Sequence, residues 1–353
     1  MVHNRGTVTS LVGRNRLLGL FTLLLALLPL FVPSSYWIST LVFIGLFAIL
    51  TVGLCLLLGH AGQISLGHNA FYGLGAYTSA IVTTRFGLSP WLGILLSLAL
   101  TGALAAVLAR PVFRLRGHFL ALATLGLGLI FYVVFNEATE LTGGPSGLAG
   151  IPYLSIGSFV FDQDIEYYYL VWGTVAAILF ISLNLVNSRI GRALCAIRDS
   201  EIAAETMGAD TARLKAQIFV ISCIYAGLAG SLYAHYVTFV NPSPFGLNTS
   251  LMLLVMAAIG GTGSIWGAPL GAAVVTLLTE FLRALVPRLS DHASGEYEII
   301  IFGILLIVIM RWMPEGVVQK VGSYWHRRLE SRNTAASWAA RDRLLLPLRR
   351  WLG

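Results

Sequence analysis

Charge is scarce in this chain. Of its 353 residues only 11% are Asp, Glu, Lys or Arg, while 57% are hydrophobic; soluble domains carry about 25% charged residues. A water-soluble fold of this length has no interior large enough for so much apolar side chain, so lipid must be the solvent for much of the chain. Cysteine is scarcer still. Cys55, Cys195 and Cys223 have neither metal-like spacing nor the pattern of a disulfide framework. Cys55 and Cys223 sit in apolar runs, where a thiol packs as a small hydrophobe. No acidic residue precedes Glu137, so His60 and His68 lack the partner that an intramembrane proton relay needs. There are no paired carboxylates, no His-Glu-x-x-His and no Gly-x-Ser-x-Gly, and no Lys follows the glycines near position 260, which removes the usual signs of an enzyme or a phosphate-binding loop.

What is present is a series of long apolar runs. Stretches near 17–33, 36–58, 69–85, 90–109, 118–136, 167–186, 216–240, 248–262, 265–286 and 297–313 are candidates for membrane spans, for which about 20 residues are needed. Those near 69–85 and 248–262 are short and glycine-interrupted, so either can be re-entrant. The expected fold is an all-α polytopic transmembrane bundle of about 8–10 spans. Arg5, Arg14 and Arg16 precede the first run, but no small-x-small cleavage site follows, and Pro29 and Pro33 interrupt it; the run reads as an uncleaved first helix.

The loops set an orientation. Arg110, Arg114 and Arg116 share one loop, and Arg189, Arg192, Arg198, Arg213 and Lys215 share another. The segment 137–166 between them carries Glu137, Glu140, Asp162, Asp164 and Glu166 with no Lys or Arg. The positive-inside rule places 1–16, 110–117, 187–215 and a tail at 314–353 in the cytoplasm, and 137–166 outside. Both termini are then cytoplasmic, around a membrane domain at 17–313. The net charge of +7 belongs to these loops and not to nucleic-acid binding. The tail combines Arg327, Arg328, Arg332, Arg341, Arg343, Arg349 and Arg350 with Trp325, Trp338 and Trp351, a composition suited to the anionic inner membrane surface and equally to a disordered basic extension.

Two glycine-rich segments resemble each other: Gly59-His60-Ala61-Gly62-Gln63-Ile64-Ser65-Leu66-Gly67 and Gly260-Gly261-Thr262-Gly263-Ser264-Ile265-Trp266-Gly267. Duplicated halves with interrupted helices at matching positions mark the substrate path of many transporters. In the first segment Gly59, Gly62, Gly67, Gly73 and Gly75 lie among Gln63, Ser65, His68, Asn69 and Tyr77. Polar groups and irregular backbone at membrane depth require shielding or a cavity, so this segment is a candidate pathway lining. Close helix packing through small residues explains the glycines as well, but the polar cluster less well. For Gly260, Gly261, Gly263 and Ser264, packing and pathway readings stand level. The loop 187–215 holds a further candidate. Ala193 to Met207 is rich in helix formers, with Ala193, Ile197, Ala204 and Met207 as a stripe, Arg198, Asp199 and Glu201 beside it, and Gly208 placed to end it. Such a projecting amphipathic helix suits a groove on a cytoplasmic partner; an ordinary solvated loop is the plainer reading.

In order along the chain, these motifs resemble the branched-chain amino-acid permease family of ATP-binding-cassette importers. The resemblance runs roughly from Leu41 to Gly316. It is carried by Gly59 to His68 with Phe71 and Gly75-Ala76-Tyr77, and by Leu115-Arg116-Gly117 with Ala123-Thr124-Leu125. Thr142 to Gly147 with Gly150-Ile151-Pro152, Gly191-Arg192-Ala193 through Arg198-Asp199-Ser200-Glu201 to Ala203-Ala204 and Gly208, Ala226 to Gly230, and Gly260 to Ser264 complete it. The long 137–166 loop is like that of the larger of the family's two paralogues. The resemblance implies a type II-like importer fold and two pseudo-repeated halves. It implies a heterodimer with a second homologous permease, two ATPase subunits that bind ATP and magnesium, and a periplasmic or lipid-anchored binding protein. No cofactor is implied on this chain. Its location would be the bacterial inner membrane, and its cargo leucine, isoleucine and valine, with urea, short amides and other amino acids as alternatives. It further implies that 187–215 is the coupling segment. The acidic residue before the Ala-Ala pair stands one place early here, at Glu201, and Asn69 and His118 also depart from the pattern. An ion-coupled secondary transporter would need ionisable residues within spans; Glu280 and Arg283 are the main candidates, and charges near a helix end more often pair or snorkel.

Overall fold

The computed structural model describes residues 19–29, 34–113, 115 and 117–289. The segment 1–16, the span expected at 297–313, the tail 314–353 and the side chains of Arg114, Arg116 and His118 lie outside what it describes. The described chain is helical, as expected, with short strands at one end that were not expected. The helices are α1 (Gly19–Pro29), α2 (Ser35–Cys55), α3 (His68–Arg85), α4 (Pro90–Val112), α5 (His118–Glu137), α6 (Thr139–Thr142), α7 (Asp164–Asn187), α8 (Arg189–Asp199), α9 (Glu201–Thr206), α10 (Thr211–Val237), α11 (Leu247–Gly260) and α12 (Gly267–Leu289). Among the described residues, five stretches are long and apolar enough to cross a membrane: Ser35–His60, Pro90–Val112, Phe119–Glu137, Asp164–Asn187 and Thr211–Val237. The 14 residues of α11 extend about 21 Å at 1.5 Å per residue, short of a hydrocarbon core of about 30 Å. Its shortness agrees with the re-entrant expectation.

Burial sorts the helices into a centre and a periphery. The most apolar window of α2 is 78% buried and that of α10 is 72% buried, against 22% for α5. A helix that is apolar all round is buried in protein or lipid. The central α2 and α10 take the first solution. The second fits α4 and α5, which point Leu95, Leu100, Val107, Phe119, Leu122 and Ile130 outward; so much exposed apolar surface requires lipid or a partner.

Small residues set how closely the central helices approach. A Cβ on Gly75 of α3 would overlap the backbone of Gly227 in α10, and one on Gly230 would overlap that of Tyr72. The α11–α12 pair meets in the same way, Gly271 against the backbone of Met256 and Gly260 against that of Gly267. Without a hydrophobic driving force between helices in lipid, such backbone approach and interhelical hydrogen bonds supply the association. Ser97 and Ser231 hydroxyls bond at 2.6 Å, Tyr167 Oη donates to Leu232 O at 2.6 Å, and Trp172 Nε1 donates to Leu41 O at 3.1 Å.

One end of the bundle is capped by the acidic segment between α5 and α7. Within it β1 (Leu148–Ala149) pairs antiparallel with β4 (Phe239–Val240), and β2 (Ser155–Ile156) pairs with β3 (Phe159–Val160). His235 fastens this cap: its Nδ1 lies 2.8 Å from Pro152 O and its Nε2 lies 2.8 Å from Ser79 Oγ. Asp164 accepts from Tyr236 Oη at 2.7 Å and Ser39 Oγ at 3.0 Å, and from the Ser35 hydroxyl. The arginine-rich α8, followed by α9, sits at the other end, beside the exit of α2. The two loops of opposite charge therefore occupy opposite ends of the bundle, as the positive-inside alternation requires.

Candidate functional site: a cavity at one end and a closed junction at the other

Arg198 joins the two segments singled out in the sequence. It lies in the last turn of α8, and its Nη1 donates to Gly59 O at 2.9 Å. The acceptor is available because α2 ends in a π turn over Leu56–His60, which releases carbonyls from the regular ladder. Gly62 makes the approach possible. It has φ +67°, and a Cβ there would stand 3.0 Å from Arg198 Cγ. The remaining guanidinium nitrogens Nε and Nη2 donate to Asp199 Oδ1 at 3.1 and 3.0 Å.

The single helix expected over Ala193–Met207 is two helices. Ser200 between them is extended at φ −160°, because its hydroxyl caps the next helix by accepting from Ala203 N at 3.3 Å. The inward side of the pair is Gly191, Leu194, Ile197 and Ala204, all buried. Ala193 is half-buried. Of the stripe expected to meet a partner, Ile197 and Ala204 are therefore turned into the bundle instead, while Met207, just after α9, is 88% exposed and Ile202 is 71% exposed, on the side turned away from the bundle with Ala203. The break at Ser200 interrupts the helical spacing on which that stripe was read. Gly208 turns the chain at φ +84°, as its position suggested. Arg192 donates to Asn187 O at 3.2 Å. Glu201 is turned back toward the bundle and pairs with Lys215 Nζ at 2.6 Å; the Lys215 side chain is 5% exposed.

The two glycine-rich segments touch each other. A Cβ on Gly59 would overlap Thr262 O, so the π turn and the α11–α12 junction meet backbone to backbone. At that junction Gly261 has φ +90°, Gly263 is exposed, and Ser264 N donates to Gly261 O at 3.1 Å. The rest of the first segment fills the space between α3, α5 and α10. Gln63 Nε2 donates to Ala61 O at 3.0 Å. Gly67 abuts Thr124 O. His68 Nε2 lies 2.6 Å from Ser222 Oγ. Phe71 meets Phe219 edge-on at 5.6 Å, and Tyr77 stacks on Phe135 at 4.7 Å. Ser65 Oγ, His68 Nδ1 and Tyr77 Oη are buried polar atoms with no partner among the described residues.

Toward the opposite end lies a cavity of about 390 Å³, within the usual range of about 300–1,000 Å³ for small-molecule sites. It sits between the first half of α2, α3, α10, α11 and the second half of α12. Phe43, Phe47, Tyr72, Tyr233 and Met252 form its apolar walls; Ser39, Thr40, Thr249, Thr276 and Thr279 add hydroxyls. Glu280 and Arg283 also line it. They pair at 3.3 Å, and Glu280 accepts from the Tyr36 hydroxyl. Below it, Thr51 Oγ1 donates to Met256 Sδ at 3.7 Å in a buried contact between α2 and α11, and beyond that come Gly59, Thr262 and Arg198. None of the twelve pathway candidates read from the sequence, from Gly59 to Ser264, lines this cavity. Of the residues singled out in the sequence, Glu280 and Arg283 do line it; no local pattern sets its aromatic and apolar walls apart from core.

Apolar outer faces, a cavity enclosed among the helices and helices broken at glycines define a polytopic α-helical membrane transport protein. The sequence profile of the family described as branched-chain amino acid transport system / permease component matches residues 36–310, and the chain belongs to that family. It is 32% identical over 304 residues to the high-affinity branched-chain amino acid transport system permease protein LivM of Escherichia coli, covering 80% of this chain and 69% of that one. It is 25% identical over 288 residues to the corresponding permease protein LivH of Salmonella typhimurium, covering 77% and 91%. Among solved structures, PsaBC from Streptococcus pneumoniae in complex with Fab gives a TM-score of 0.43 at 15% identity, over 82% of this chain and 96% of that chain, too loose a likeness to carry an argument.

Proposed function

We propose that this chain is one transmembrane subunit of an ATP-driven importer, that it conducts branched-chain amino acids across the bacterial inner membrane, and that both its termini face the cytoplasm. The observation that carries the reading is the layout along α2. A cavity lies along its first half, a buried contact closes the middle, and the far end is bonded to a helix that projects at the arginine-rich surface. That layout is what alternating access requires of a gate moved from outside the membrane. Phe43, Phe47 and Met252 suit an aliphatic side chain, while Glu280 and Arg283 offer opposite charges to the two ends of a zwitterion.

In this reading α8 and α9 receive the ATPase. Ile202, Ala203 and Met207 supply the exposed apolar face that a groove on the partner would cover, and Arg198 passes the movement to Gly59. ATP and magnesium are held by two ATPase subunits. Similarity to both LivM and LivH supports a second, homologous permease as the other half of the pathway, with a binding protein delivering the substrate.

The test is purification of the tagged chain from its host in mild detergent, followed by identification of bound subunits and uptake assays in proteoliposomes. Two ATPases, a second permease and ATP-dependent leucine uptake are expected. A stable assembly without any ATPase overturns the reading; ATP-dependent uptake of urea or short amides, with none of leucine, overturns the substrate.

A further inference from the structure

A second cleft, of about 560 Å³, lies on the outer face of the bundle at the arginine-rich end. Its walls come from the end of α4, the end of α7, the start of α8 and the first third of α10. Ala106, Ala109 and Ala216 hollow it, and Leu185, Ile190 and Ile221 line it. Along α10 it runs from Arg213 to Ile221, eight residues or about 12 Å of helix. At its α8 end stand Arg110 and Arg213, and no carboxylate is among the lining residues. Asp210, three residues before Arg213, accepts from its backbone N at 3.0 Å, and no ion pair to either guanidinium occurs among the described residues.

An apolar slot one helix-third deep, closed at its cytoplasmic end by two arginines, matches one chemistry: an acyl chain joined to a phosphodiester. Basic pockets between membrane helices at the cytoplasmic level bind anionic head groups in this way, and planar guanidinium groups are suited to phosphate oxygens. We propose that this cleft is a binding site for an anionic glycerophospholipid, its phosphate between Arg110 and Arg213 and one acyl chain against Ala106, Ala216 and Ile221. The site is independent of the pathway cavity. Ile190 belongs to α8, so a lipid seated here also supports the helix that carries Arg198.

The experiment uses the full chain, purified and stripped of lipid, with thermal stability and retained lipid measured after addition of phosphatidylglycerol, phosphatidylcholine or inorganic phosphate. Phosphatidylglycerol is expected to raise the Tm and to be retained, phosphatidylcholine and phosphate to do neither. The Arg110→Gln, Arg213→Gln double variant should lose that response, Arg110→Lys, Arg213→Lys should keep part of it, and Ala106→Phe should block the chain while leaving the arginines in place. Equal retention of phosphatidylglycerol by the Gln double variant overturns the site, as does an equal response to phosphatidylcholine. A shift reproduced by inorganic phosphate alone would make it an anion site without a lipid. Should the Gln variant not fold, Ala106→Phe decides the question by the same readout.

Discussion

Arg198 and Gly59 are 139 positions apart in sequence and are joined by a 2.9 Å hydrogen bond from Nη1 to the carbonyl oxygen. The bond connects a surface helix to the irregular end of α2, the most buried of the five long apolar stretches. The Arg198 side chain is 40% exposed, so its loss should cost only about 1 kcal/mol of stability. Its effect on coupling should be larger, because no other hydrogen bond links α8 to the π turn among the described residues. Arg198→Ala is expected to insert and assemble normally, and to hydrolyse ATP with leucine uptake reduced severalfold or more. Uptake at the parental level, with matched expression, would remove the coupling role from Arg198.

The contact between Gly59 and Thr262 leaves no room for a side chain. Gly59→Ala would drive a Cβ into a backbone carbonyl, so the two glycine-rich segments must separate or the helices must shift. Gly126, in α5, has nothing within 4 Å of an added Cβ; alanine there should change stability by less than about 1 kcal/mol. The pair makes an internal control. Gly59→Ala should lower thermal stability and uptake together, while Gly126→Ala leaves both intact. Equal behaviour of the two variants would show that the close approach does not govern the closed end.

Glu201 and Lys215 pair between α9 and α10 at 2.6 Å, beside a bond from Thr211 Oγ1 to Glu205 Oε1 at 2.9 Å. Removing one partner of a pair with a buried member leaves a charge uncompensated, which typically costs about 3–5 kcal/mol. Because Glu201 is itself 27% exposed, Glu201→Gln should fall near the lower end. Replacing both, Glu201→Leu with Lys215→Met, should recover most of the loss. Thermal melts of the two singles and the double in detergent complete the cycle, and a double variant as unstable as the worse single would mean that the pair does not act as a unit.

Much of the architecture was legible because lipid imposes simple rules. Run length gave the helices, loop charge the two opposite ends of the bundle, and α11 was already short in the sequence. Glycine content marked Gly59, Gly62 and Gly260 as pathway candidates, with close packing as the other reading; the structure places Gly59 and Gly260 against backbone and Gly62 against Arg198. What the sequence could not give was which of these segments meet. Arg198 touching Gly59 is a long-range contact with no local signature. Two other features were hidden for a different reason. The break at Ser200 depends on its hydroxyl capping α9, a competition between side chain and backbone that helix propensity does not register. The cavity walls at Phe43, Phe47 and Met252 have the same chemistry as packed core, and only the positions of five helices reveal that they face space.

The cavity offers the most direct test of where substrate passes. Met252 lies part-way along α11, half-buried and on the cavity wall, so a larger side chain there can extend into open volume and not into its neighbours. Overpacking a filled core costs about 1–3 kcal/mol, and Met252→Trp should cost less because the space exists. Met252→Leu nearly conserves volume and serves as its control. In proteoliposomes holding the complete assembly, Met252→Trp should abolish or strongly reduce leucine uptake while the assembly remains intact and still hydrolyses ATP; Met252→Leu should transport near the parental rate. If Met252→Trp transported leucine as fast as Met252→Leu, the substrate would take another route, and the surface between this chain and the second permease would become the place to look for it.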